Sequence, residues 1–122
     1  MNLLEYLHIK VTKESKQQVI LSIDVSEKIM QPFGIVHGGI NTILAETAAS
    51  MLANLNAPIG SVAIGVSINT NHLLPTTTGR IDAIANPIKI GNKIQVLTVT
   101  TFAYPQKIKT SQSIVTTTFH KK

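Results

Sequence analysis

From Gly39 to Leu55 the chain keeps helical spacing without a break and carries a single charge, Glu46. Ile40, Ile43, Leu44, Thr47, Met51 and Leu55 recur three and four residues apart, and Ala45, Ala48, Ala49 and Ala53 occupy the other sides. A helix that is small and apolar nearly all round belongs inside a protein, so this segment is expected to be covered on most sides. Asn56, Pro58 and Gly60 end it. The covering must come from the rest of a chain of 122 residues, 43% of them hydrophobic. That is material for one core, so residues 1–122 read as a single domain.

The flanking segments have the other periodicity. Val19, Leu21, Ile23 and Val25 alternate with Gln18, Ser22 and Asp24, a period of two that predicts a strand. After Ser61 the chain is rich in Val, Ile and Thr and is interrupted at Pro75 to Gly79, Pro87 to Asn92 and Pro105 to Lys107. Those interruptions are turn chemistry. They delimit four strands, roughly Val62 to Leu74, Arg80 to Ile88, Lys93 to Tyr104 and Ile108 to Phe119. Breaks this short favour antiparallel pairing between successive strands. The expectation is an α+β domain: a short N-terminal helix, a strand, a long central helix, then four strands, making a five-stranded antiparallel sheet around the helix.

Composition excludes several chemistries. Without cysteine there is no disulfide, thiolate nucleophile or cysteine-ligated metal, which is the habit of an intracellular chain. His8, His72 and His120 have no metal-ligand spacing, so no metal is expected. Met1 to Lys10 carries Glu5, His8 and Lys10 and reads as no signal peptide. No run reaches the ~20 apolar residues of a membrane span; a cytoplasmic protein without membrane partners is expected. The net charge of +5 favours anionic partners. Because the basic residues are scattered and aromatics are few, nucleic acid is not expected among them.

Chemistry concentrates in Gln31-Pro32-Phe33-Gly34-Ile35-Val36-His37-Gly38-Gly39 and the helix behind it. A glycine-rich loop feeding a helix N-terminus presents free N–H groups at the positive end of a dipole, a place suited to an oxygen that becomes negative during reaction. The same glycines also suit a plain tight turn, and His37 suits a residue that orders it. Glu46 is costly to bury unless paired, protonated or used, so it is either a reacting carboxylate or a structural one satisfied by neighbours. Gly38 and Glu46 lie about 12 Å apart along a helix axis and cannot both touch one carbonyl. If both act in one reaction, they come from different subunits of a symmetric oligomer with antiparallel helices. Ser50 shares the face of Glu46 one turn on, where its hydroxyl either positions water or is merely small enough for close packing.

The run from Gln31-Pro32-Phe33-Gly34 through His37-Gly38-Gly39 to Leu44-Ala45-Glu46, continued in Gly65-Val66-Ser67-Ile68-Asn69-Thr70-Asn71-His72-Leu73 and the Gly91 turn, resembles the hotdog-fold acyl-CoA thioesterases of the phenylacetate-pathway and 4-hydroxybenzoyl-CoA (Arthrobacter-type) group. That resemblance implies a long helix wrapped by an antiparallel sheet and hydrolysis of an aromatic or medium-chain acyl-CoA. Glu46 would attack the thioester carbonyl or activate water, the Gly38 N–H would hold the oxyanion, Gln31 and His37 would orient the thioester, and Ser50 would place the hydrolytic water. It also implies an acyl pocket near Phe33 and Met51, a site shared between subunits of a homodimer or homotetramer, and no cofactor. Where many members of that family carry a basic residue, this chain has Leu74, which removes a phosphate contact. His72, Arg80, Lys89 and Lys93 remain as cations for CoA.

Two other functions fit such a chain less well. A hydroxyacyl thioester dehydratase needs a histidine facing the carboxylate, whereas His37 precedes Glu46. A non-catalytic acyl-CoA-binding module would have no need of Glu46. The acyl group is left open among benzoyl, phenylacetyl, 1,4-dihydroxy-2-naphthoyl and medium-chain fatty acyls.

Overall fold

The computed structural model describes residues 1–122. A short helix α1 (Leu3–Leu7) precedes strands β1 (Lys10–Glu14) and β2 (Val19–Asp24). A 3₁₀ turn, Glu27–Ile29, leads to the long helix α2 (Gly38–Leu55). Strands β3 (Ser61–His72), β4 (Arg80–Ile90), β5 (Ile94–Tyr104) and β6 (Ile108–Lys121) complete the fold. All six strands form one antiparallel sheet in the order β1-β2-β4-β5-β6-β3, and α2 packs on one face of it.

The helix meets the sheet through its smallest side chains. Leu44, Ala45, Ala48, Ala49, Leu52 and Ala53 are fully buried against Val19, Leu21 and Ile23 of β2, Ile81, Ala83 and Ala85 of β4, Leu97 and Val99 of β5, and Val115 of β6. Alanines on both surfaces let the helix axis approach the sheet closely, and Leu44 and Leu52 fill the space at either end. Leu44→Ala should therefore open a cavity that the rigid sheet cannot close. The expected destabilisation is about 2–5 kcal/mol, read from the midpoint of urea unfolding; a loss under 1 kcal/mol would mean the helix seats less tightly.

Four expectations need correction. The sheet has six strands rather than five. The extra strand, β1, is exposed along its whole length, so no hydrophobic alternation marks it, and its lysines suit a sheet edge. Strands β3 and β4 are not neighbours despite the short break between them: β3 pairs with β6, and β4 with β2. The Pro75 to Gly79 segment carries the chain between separate parts of the sheet. Pro87 does not end β4, because the register shifts between Pro87 and Lys89, and a bulge needs no N–H from the proline.

The fourth correction concerns α2, which is covered on one side only. Thr42, Ile43, Thr47, Ser50 and Met51 are half-buried and Glu46 is exposed, so the argument from burying a lone carboxylate fails for the single chain. The stripe that packs on the sheet is the alanine face, because close approach selects the smallest residues.

Candidate active site

The loop before α2 is fixed from both ends. Gln31 N–H donates to Ile35 O at 2.8 Å and His37 N–H to Ile29 O at 2.9 Å, with an isolated bridge between Met30 and Val36. Gly34 takes φ +81°, a conformation glycine adopts without strain. His37 caps the helix, its Nδ1 accepting from Gly39 N–H at 2.8 Å. Its imidazole proton therefore sits on Nε2. The Gly38 N–H donates to no acceptor within the chain and stands at the positive end of the helix dipole.

A cavity of about 250 Å³ opens at this helix end, lined by Gln31, Val36, Gly38, Asn41, His72 and Leu74 among others. Gln31 turns its Oε1 back to accept from Phe33 N–H, leaving its Nε2 protons for another partner. The ring of His72 lies against Gly38 so closely that a Cβ there would stand 3.1 Å from its Cε1 and Nε2. Asn41, which the sequence pattern did not single out, is buried and lies 3.3 Å from the same ring through Nδ2. Only its place on the Gly38 side of the helix could have signalled it.

The remaining expected residues lie elsewhere. Glu46 lines a separate cavity of about 170 Å³ with Leu3, Thr42, Ile43 and Thr47; Leu3, from α1, was also missed, since a five-residue helix gives no hint of where it docks. Ser50 is half-buried and its carbonyl accepts from Asn54. Met51 is half-buried and packs partly on the core. Phe33 is 89% exposed on the loop and lines neither cavity.

Arg80 is bound to Asp82 at 2.9 Å and stacks on Tyr104 at 4.4 Å. The hydrogen bond that Arg80 donates to the Asp82 carboxylate holds the guanidinium's pKa above its ordinary value. Lys93 and Lys89 border a third cavity, of about 350 Å³, in the β4–β5 turn. Gln31, Gly38 and His72 are thus brought together, whereas Glu46, Arg80 and Lys93 each line a different cavity.

A long helix packed along one side on a single antiparallel sheet is the architecture of the hotdog fold. The thioesterase superfamily profile matches residues 33–109, a span that holds α2 and the whole of β3, β4 and β5. The 1,4-dihydroxy-2-naphthoyl-CoA hydrolase of Listeria monocytogenes is 38% identical over 96 residues, 79% of this chain and 78% of that one. A Haemophilus influenzae thioesterase superposes with a TM-score of 0.91 at 30% identity, covering 97% of this chain and 82% of that one. A Staphylococcus aureus thioesterase, crystallised with a glutamine replaced by alanine, superposes with a TM-score of 0.92 at 28% identity over all of both chains. The same protein was also crystallised with alanine in place of a glutamate fifteen residues after that glutamine, the separation of Gln31 and Glu46 here. The chain belongs to the thioesterase superfamily and is a thioester hydrolase.

Proposed function

We propose that the protein hydrolyses an aromatic or medium-chain acyl-CoA to the free acid and CoA, at a site shared by two copies of the chain. The observation that carries the reading is the division of the machinery along α2. The free Gly38 N–H stands at its start and Glu46 lies two turns on, facing away from the sheet and bound to nothing. One helix cannot bring them to the same carbonyl. Two helices side by side and antiparallel can, and the open stripe of Ile43, Glu46 and Thr47 is where a second helix would lie.

The free edge of β3 supports the same arrangement. It runs twelve residues with a partner on one side only, and Ile64 and Val66 on it are exposed. A long unprotected edge is a template for another strand, so a homodimer, alone or doubled into a homotetramer, follows.

In such a site the thioester oxygen accepts from Gly38 N–H of one copy, and the other copy's Glu46 supplies the carboxylate. Glu46 either adds to the carbonyl, expelling thiolate to leave an anhydride that water then opens, or takes a proton from water as it adds. In both routes the C–S bond breaks, one water is consumed as the free acid forms, and a proton from that water ends on the departing thiolate, which leaves as CoA. Gln31 Nε2 steadies the thioester, His37 holds the loop through its cap, and Ser50 lies one turn beyond Glu46 to hold the water. Phe33 and Met51 border the acyl group in the assembled dimer. Lys89 and Lys93 offer cations to the CoA phosphates; Arg80 is already committed to Asp82. The compartment is the cytoplasm.

The test is release of CoA thiol from a panel of aromatic and aliphatic acyl-CoAs, followed with a thiol reagent. The chain has no cysteine of its own, so every thiol detected is product. Turnover of at least one acyl class supports the reading. No turnover of any, with acyl-CoA still bound, would make the protein a binding module.

A further inference from the structure

We propose that His72, held by Asn41, is a second hydrogen-bond donor to the thioester carbonyl, beside the Gly38 N–H. This rests on the thioesterase reading and gives His72 a part in the reaction itself, where the sequence suggests only a cation for CoA phosphate.

Three observations meet at this ring. His72 ends β3, and its Cε1 and Nε2 edge lies over the bare Cα of Gly38, at the 3.1 Å that a Cβ would face. It shares the 250 Å³ cavity with Gly38 and Gln31, so the ring borders the space where the oxyanion donor lies. Its other nitrogen, Nδ1, is 3.3 Å from Asn41 Nδ2. An amide nitrogen only donates, so in this arrangement Nδ1 accepts and the ring proton sits on Nε2. Nε2 itself has no partner in the chain and lies beside Gly38.

Asn41 supports the assignment by being costly. It is 7% exposed, on a helix whose other buried positions are all Ile, Leu or Ala. Its Oδ1 has no hydrogen-bond partner. A buried amide left half satisfied is a poor choice for packing. It is a sensible one for fixing the tautomer and rotation of the ring it touches, as partners of functional histidines do. Asn41 is therefore a positioning residue, and His72 Nε2–H, already fixed in place, meets charge that develops on the carbonyl oxygen.

The experiment compares the wild type with His72→Leu and His72→Gln on two substrates bearing one acyl group, the CoA thioester and the pantetheine thioester, which lacks the nucleotide phosphates. His72→Leu should lower kcat about tenfold to a hundredfold on both substrates alike, with KM little moved, and His72→Gln, which retains an N–H, should recover much of the loss. Asn41→Leu should reproduce the kcat loss on both, and the double variant should be no worse than His72→Leu alone. His72 is exposed, so its variants keep the test readable even if Asn41→Leu fails to fold. A loss confined to the CoA thioester and to KM would make His72 a phosphate contact and overturn the proposal, as would unchanged kcat on both. A wild type inert on both thioesters would instead remove the thioesterase reading beneath it.

Discussion

Glu46→Gln is expected to lower kcat by about a thousandfold or more while leaving the melting temperature and oligomeric state unchanged. Glutamine preserves the shape of the side chain and removes its capacity both to attack a carbonyl and to accept a proton from water. Stability should hold because, within the chain, Glu46 is exposed and makes no ion pair or hydrogen bond whose loss could matter; the only ion pairs are Lys10 with Asp24 and Arg80 with Asp82. Acyl-CoA affinity, measured by titration with a non-hydrolysable thioether, should stay within a few fold, since the group acts in the transition state. Turnover within a factor of ten of wild type would take Glu46 out of the mechanism.

Mixing two inactive variants gives the second large effect. Gly38→Val puts a branched side chain where even a Cβ would press on the His72 ring at 3.1 Å. The ring and the helix start cannot both hold their places, and kcat should fall about a hundredfold or more, the scale of losing an oxyanion donor. Co-expressed with Glu46→Gln, however, it should recover activity. If each site takes Gly38 from one copy and Glu46 from the other, a mixed dimer has one doubly damaged site and one undamaged site. Random pairing then returns about a quarter of wild-type turnover. Recovery close to zero, with mixed dimers shown to form, would mean that one chain supplies both groups, and the division along α2 would lose its meaning.

The different parts of this protein were legible to different degrees. Helix α2 stood out because uninterrupted helical spacing with one charge is a local property, and β2, β5 and β6 stood out because alternation is local too. The loop from Gln31 to Gly39 stood out as a candidate for the same reason: its glycines, His37 and a helix start are neighbours in sequence. Strand β1 was hidden because an edge strand exposed along its length has no hydrophobic face to reveal it.

Residues close together in the chain, or the fixed rise of a helix, were enough for the helix, the family motif and the 12 Å problem. Tertiary structure alone decided which face of α2 is covered, that β3 pairs with β6 and leaves its other edge free, and that His72 at the end of β3 meets Gly38 and Asn41 at the start of α2. Those outcomes depend on how closely surfaces approach, and small side chains far apart in sequence set that distance. The alanines of α2 and β4 choose the buried stripe, and that choice leaves Glu46 facing outward and brings the imidazole of His72 to the bare Cα of Gly38.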